Sequence, residues 1–226
     1  MRDVQDRFRL IVFDWDGTLM DSEARIVDCL RRAAEAAGLP ALPAERLREV
    51  IGLSLDGAFA RLYPEAGAAT RARLAAAYRE EFLHRNPTPS RLFPGARELL
   101  ARLHAGGRLL AVATGKARRG LDRVLAETGL GRYLHASRCA DETASKPSPR
   151  MLHEILDELA VAPEQALMVG DTDYDLEMAR AAGVAAVAVT HGVHDTERLR
   201  RHRPLALVPD LHALDRWLAD PVVAVS

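Results

Sequence analysis

Residues 9–18 read Arg-Leu-Ile-Val-Phe-Asp-Trp-Asp-Gly-Thr, a short apolar run that stops at two carboxylates, Asp14 and Asp16, and then turns on Gly17. A continuous apolar run of this length, rich in β-branched and aromatic side chains, suits a strand covered on both faces. Asp14 and Asp16 then emerge at its carboxyl end, where open α/β sheets bind ligands. Two readings of the pair stand side by side. It is an acidic strand-to-loop turn, for which Asp and Gly are ordinary choices, or it is a divided pair at a divalent cation. In the second reading the cation keeps Asp14 ionised as a nucleophile while Asp16, aimed elsewhere, shuttles a proton. Thr18 offers a hydroxyl to the turn or to a ligand.

Downstream of this strand the pattern is first helical and then alternating. Ser22 is placed to cap a helix whose apolar stripe is Ile26, Val27, Leu30, Ala33, Ala34 and Ala37, ending at Gly38. Further helices are expected over 43–50, 55–63 and 68–85, followed by a linker at Asn86-Pro87-Thr88-Pro89-Ser90. From residue 92 helices at 95–105, 117–128, 149–160, 174–182 and 211–219 alternate with strands at 108–113, 134–139, 166–169, 184–189 and 205–208. Such alternation argues for a parallel sheet with right-handed crossovers. The expected architecture is a doubly wound, Rossmann-like α/β core over 1–20 and 92–226, interrupted by an α-helical insert at 21–91.

Composition bounds the function. The chain has 226 residues and a net charge of −1, with no broadly basic surface for nucleic acid or for a membrane. Cys29 and Cys139 lie far apart without CxxC spacing, which predicts two small core residues rather than a zinc site or a disulfide. No apolar run approaches the roughly 20 residues of a membrane span, and the first residues lack an apolar signal core, so a soluble cytoplasmic protein is expected. Only two of the 31 basic residues are lysines, Lys116 and Lys146, and the rest are arginines.

The other strand ends carry their own polar clusters. Thr114-Gly115-Lys116 follows the strand at 108–113 and is either a helix cap or, with its hydroxyl and free N–H groups, a phosphate cradle. Lys116 is expected to ride outward on the following helix. Lys146 stands in Ser145-Lys146-Pro147-Ser148-Pro149, where Ser148 can cap the next helix and Pro149 can open it. Lys146 is either a loop lysine at the surface or a compact ammonium that offsets Asp14 and an incoming phosphate together. Gly170-Asp171-Thr172-Asp173-Tyr174-Asp175 closes the strand at 166–169. Magnesium prefers hard oxygen ligands, so Asp171, with Asp14 and with Asp175 directly or through water, would hold it. Asp173 is left to cap the helix, and the run lacks the glycine and distal glutamate of an EF-hand loop.

In this order and combination, Asp14-Trp15-Asp16-Gly17-Thr18, Thr114, Lys146 and Gly170–Asp175 resemble the four motifs of the haloacid dehalogenase-like hydrolase superfamily. The resemblance covers nearly the whole chain. It implies that Asp14 attacks phosphorus to form an aspartyl-phosphate, and that Asp16 protonates the leaving oxygen and then activates water. Thr114, Gly115 and Lys146 would bind the phosphoryl group, with Lys146 also orienting Asp14. Asp14, Asp171, Asp175 and the backbone carbonyl of Asp16 would surround Mg²⁺. Position 15 is commonly a smaller apolar residue in the family, so Trp15 departs in packing.

Members with an insert after the first motif carry a helical cap that closes over the substrate, matching 21–91. Gly52-Leu53-Ser54-Leu55 and arginines such as Arg25, Arg48 and Arg61 are candidates to face the site. The presence of Asp16 disfavours dehalogenation, and the absence of a cap lysine disfavours phosphonate cleavage. Ile26 stands where sugar-phosphate mutases carry a histidine. A phosphomonoesterase on a small phosphorylated metabolite is thus expected, similar to the phosphoglycolate phosphatase-like branch. The alternatives are a nucleotidase, pyrophosphatase, sugar-phosphate phosphatase or phosphotransferase. His191 and His194 are left outside the catalytic set, and a monomer or dimer is expected.

Overall fold

A computed structural model describes residues 7–219. Its centre is a parallel sheet of six strands: β1 (Leu10–Phe13), β4 (Leu109–Thr114), β5 (Ala136–Cys139), β6 (Ala166–Gly170), β7 (Ala185–Val189) and β8 (Leu207–Val208). They lie in the order β5-β4-β1-β6-β7-β8. β1 pairs with β4 on one side and β6 on the other, so each of its residues is buried and the apolar run needs no alternation. Strand order reverses at β1, which makes its carboxyl end the topological switch point.

Helices cover both faces. α5 (Ala96–Ala105), α6 (Arg118–Thr128) and α10 (Leu211–Ala219) flank one face, whose core joins Ile11 and Phe13 to Leu100, Leu121 and Leu214. α7 (Arg150–Leu159) and α8 (Asp173–Ala181) cover the other, where Leu10 and Val12 meet Ile155, Met168 and Met178. The short α9 (Thr196–Arg200) lies beyond β7. Trp15 is fully buried in the first core and its indole N–H points to Met20 Sδ at 3.4 Å, in keeping with a packing role. Both cysteines are buried, and burial pushes each thiol up to about 12.

Between β1 and β4 runs the helical insert: α1 (Glu23–Ala36), α2 (Ala44–Arg48), α3 (Leu55–Leu62) and α4 (Ala68–Glu80). They share a separate apolar core built on Leu30, Leu47, Phe59, Leu74 and Phe82. The expected helix to residue 85 ends differently, its last turn widening into a π turn over Glu81–Arg85. Entry and exit of the insert are tied together by two short antiparallel strands that the sequence pattern did not reveal, β2 (Met20–Asp21) and β3 (Arg91–Leu92). Two residues per strand are too few to show a period.

Three capping expectations are corrected. Ser22 precedes α1 but makes no cap bond, because its backbone is not extended and its hydroxyl is spent on Asp16. Thr172, not Asp173, caps α8, in a reciprocal box with Asp175. Pro149 itself occupies the cap position of α7, one residue before the first helical turn, while the Ser148 hydroxyl accepts from Arg150 N–H at a long 3.4 Å.

Among the described residues, no helix is long and apolar enough to cross a membrane.

Candidate active site

The carboxyl ends of β1, β4 and β6 and the loop before α7 bring Asp14, Thr114, Asp171 and Lys146 to one rim, all buried. Asp14 N–H donates to Val169 O at 2.9 Å, which continues the β1–β6 ladder one residue past the strand and fixes the carboxylate above the sheet. Gly17, at φ +86°, then turns the chain back so that Asp16 bridges Met20. A Cβ at Gly17 would come within 2.2 Å of the Asp171 carboxylate, so close approach as well as conformation requires glycine there.

Lys146 is the hub. Its Nζ lies 2.7 Å from Asp14 Oδ1 and 2.6 Å from Asp175 Oδ1. The surface reading of Lys146 is thereby excluded, and two carboxylates hold its ammonium charged above the ordinary lysine range despite burial. Asp171 accepts from the Thr18 hydroxyl and from Val193 N–H, both at 2.8 Å. Asp175 accepts from the Thr172 hydroxyl at 2.7 Å and the Thr172 N–H at 3.1 Å.

Asp14, Asp171 and Asp175 each bring one oxygen within 4.8 Å of the others. Three buried carboxylates face one ammonium. Burial, reinforced by Asp175 and Asp171 against the pull of Lys146, drives Asp14 well above the usual carboxylate range. Burial and Asp175 likewise push Asp171 up to about 7. Asp14 Oδ2 is buried without any hydrogen-bond partner. Hard oxygen donors, excess negative charge and a buried oxygen without a hydrogen bond fit a divalent cation.

Asp16 stands apart from that cluster. It accepts from the Ser22 hydroxyl at 2.5 Å, and Lys116 Nζ lies 2.8 and 2.9 Å from its two oxygens. The outward course expected for Lys116 is therefore corrected. α6 starts only at Arg118, with Ala117 extended at ψ 153°, so Lys116 sits in the loop and reaches inward. Thr114 is not the cap of α6; its Oγ accepts from Lys116 N–H at 3.2 Å, leaving the hydroxyl proton for a ligand. The spacing of Ser22 and Lys116 from Asp16 carries no periodic signal, and only the rarity of lysine in this chain singled out the second.

Insert and core approach each other closely at Gly115. A Cβ there would lie 2.5 Å from Gly52 O and 2.6 Å from Leu53 O. Ser54 N–H donates to Ser145 Oγ at 2.9 Å beside it, so the Gly52–Leu55 turn does face the site. The three insert arginines do not. Arg25 binds the carbonyls of Phe82 and Thr88, Arg48 pairs with Glu23, and Arg61 lies over the Tyr174 ring. None of the three lines the cavity, and each is drawn to another partner within reach.

His194 Nδ1 accepts from Asp173 N–H at 3.0 Å, and His191 Nε2 lies 3.1 Å from Thr18 O. Asp173 is paired by Arg198 Nε at 2.7 Å. Above Asp14, Asp16 and Thr114 a cavity of about 550 Å³ extends between core and insert.

The model of the haloacid dehalogenase-like hydrolase family matches residues 11–189. The chain belongs to this family. Among curated members it is 34% identical to the "Probable phosphatase IndB" of Dickeya dadantii, with 94% of this chain and 97% of that one covered. It is 32% identical to a phosphoglycolate phosphatase of Mesorhizobium japonicum, with 96% and 97% covered. A crystal structure from Bacteroides fragilis, described as haloacid dehalogenase-like, superposes with a TM-score of 0.86 at 25% identity over 92% of this chain and all of that one. Family and buried acidic triad together mark a divalent metal site in a phosphatase of the haloacid dehalogenase-like type.

Proposed function

We propose that the protein is a magnesium-dependent phosphomonoesterase that releases phosphate from a small phosphorylated metabolite through an aspartyl-phosphate on Asp14. The observation that carries this reading is Asp14 itself. One oxygen is held by Lys146 and the other is free of hydrogen bonds, at the switch point of a doubly wound sheet. That arrangement orients a nucleophile without blocking it.

In this reading Asp14 attacks phosphorus, the bond from phosphorus to the leaving oxygen breaks, and Asp16 gives that oxygen its proton. Asp16 then takes a proton from the water that cleaves the acyl phosphate, which restores Asp14 and liberates inorganic phosphate. Lys116 and Ser22, both on the Asp16 carboxylate, aim it for the two transfers. Thr114, Gly115 and Lys146 receive the phosphoryl oxygens. Asp14, Asp171, Asp175 and the Asp16 carbonyl are the proposed ligands of Mg²⁺, which when bound supplies the charge that lets an anionic nucleophile approach an anionic phosphate.

Residues 21–91 are proposed as a cap over a core of 1–20 and 92–226, excluding water from the acyl phosphate. Two buried, unpaired cysteines are in keeping with the proposed cytoplasmic residence, and the chain is proposed to act as a monomer or dimer. Phosphoglycolate, named for the Mesorhizobium relative, is the first ester to assay. A phosphotransferase reading is weaker, because Ile26 supplies no proton-transfer group from the insert. The test is phosphate release across phosphoglycolate, nucleoside monophosphates, sugar phosphates and pyrophosphate, with the metal-stripped protein and after adding Mg²⁺. Release that depends on Mg²⁺ supports the reading. No release from any ester by folded protein with Mg²⁺ would overturn it.

A further inference from the structure

The walls of the cavity differ from its floor. Asp14, Asp16 and Thr114 form the floor, and the insert supplies Ile26, Leu30, Val50, Ile51, Tyr78 and Phe82 above it. Tyr78 and Phe82 stack with centroids 5.7 Å apart and planes inclined by 17°, presenting aromatic surface to the cavity. The volume of about 550 Å³ falls in the range of pockets that enclose a sizeable organic ligand. A two-carbon acid would leave most of it to water.

Charge points the same way. Lys116, its side chain nearly buried in the wall, is already engaged by both oxygens of Asp16, with its Nζ 4.4 Å over the Phe82 ring. The other basic residues of the lining, Arg79, His84 and Arg119, are exposed to solvent. A carboxylate carried in among the apolar walls would lose its water and stand away from these exposed cations. An apolar group would lose little and gain the burial of its surface.

Resting on the phosphatase reading, we infer that the leaving group of the substrate is a largely apolar body, aromatic or branched aliphatic, rather than a small carboxylic acid such as glycolate. The phosphate sits on Thr114 and Lys146 and the apolar body lies between Ile26, Leu30 and Phe82. Binding of that remote body raises kcat/KM for the right ester.

The experiment compares kcat/KM of the Mg²⁺-loaded enzyme for 2-phenylethyl phosphate, ethyl phosphate and phosphoglycolate. The first two release alcohols of similar acidity, so their ratio reads the pocket and not the chemistry. The expected result is that 2-phenylethyl phosphate exceeds both others by about 30-fold or more, equivalent to about 2 kcal/mol at 1.4 kcal/mol per tenfold. Val50→Thr, which keeps the side-chain shape and adds a hydroxyl to a buried wall, should lower the phenylethyl-to-ethyl ratio at least threefold, with a lower Tm but the enzyme still folded at the assay temperature. Phosphoglycolate turned over as well as or better than 2-phenylethyl phosphate, or equal rates on the two alcohol esters, would overturn the inference and leave the phosphatase standing. Failure of folded, Mg²⁺-loaded enzyme on all three esters and on the wider panel would overturn the phosphatase reading and the inference together.

Discussion

Lys116 Nζ lies 2.8 and 2.9 Å from the two carboxylate oxygens of Asp16, an ion pair with both side chains nearly buried. Removing one member strands the other charge. Lys116→Met is therefore expected to destabilise the fold by about 3 kcal/mol, the low end of the roughly 3–5 kcal/mol for a broken buried pair, because Ser22 still bonds Asp16. Turnover should fall by about tenfold or more as Asp16 loses its aim. Denaturant unfolding of Lys116→Met and of the double variant Lys116→Met/Asp16→Asn checks the pairing. The double variant should recover most of the lost stability, and equal losses in both would contradict it.

Gly115 offers a steric test of the contact between insert and core. A methyl there would meet two backbone carbonyls, Gly52 O and Leu53 O, at 2.5 and 2.6 Å, and backbone cannot rotate aside. Gly115→Ala should thus push the 52–53 turn away from the site. The expected outcome is a fall in kcat/KM of about tenfold or more, because angstrom-scale displacement of positioning groups costs on that order. Kinetics together with a crystal structure of the variant would check it.

The pH dependence of the metal site follows from Asp171. Its carboxyl is pushed up from 3.8 to about 7 by burial and by Asp175. A raised carboxyl stabilises the fold below its unfolded value and loses that contribution as pH climbs through its folded value. The metal-free protein should therefore lose stability from this site between about pH 4 and about pH 7. A divalent cation binds the deprotonated form, so the rise in Tm on adding Mg²⁺ should grow across the same interval. Thermal melts with and without Mg²⁺ from about pH 5 to about pH 8 would show it, and a constant increment would contradict it.

Lys146 should show the same electrostatics from the other side. Lys146→Met leaves Asp14 and Asp175 without the ammonium that lies 2.7 and 2.6 Å away. We expect about 3–5 kcal/mol of destabilisation in the metal-free protein. Saturating Mg²⁺ should restore a larger share of Tm in this variant than in the parent. Calorimetry with and without the metal would decide.

The parts of the molecule legible in the sequence were those written into neighbouring residues. Asp14, Thr114 and Asp171 each follow an apolar run directly, so a parallel sheet necessarily brings them to one rim. The helices of the insert were legible from stripes such as Ile26, Leu30 and Ala33. Lys116 and Ser22 were not, because side-chain direction there depends on where a helix begins. One residue of extended backbone at Ala117 turns Lys116 from an outward helical position into a partner of Asp16. The apolar walls were equally hidden, since Ile26 and Phe82 belong to the same stripes that build the insert's own core.

The central claim is that Asp14 is the nucleophile, and its most direct test is Mg²⁺-dependent phosphate release by Asp14→Asn beside the parent enzyme on its best ester. The substitution removes the charge, keeps the shape and relieves a carboxylate that burial and its acidic neighbours already disfavour. The account predicts a folded protein, at least as stable without metal, whose kcat is lower by about 10⁴-fold or more. Turnover of Asp14→Asn within about tenfold of the parent, in a preparation free of contaminating phosphatase, would contradict it.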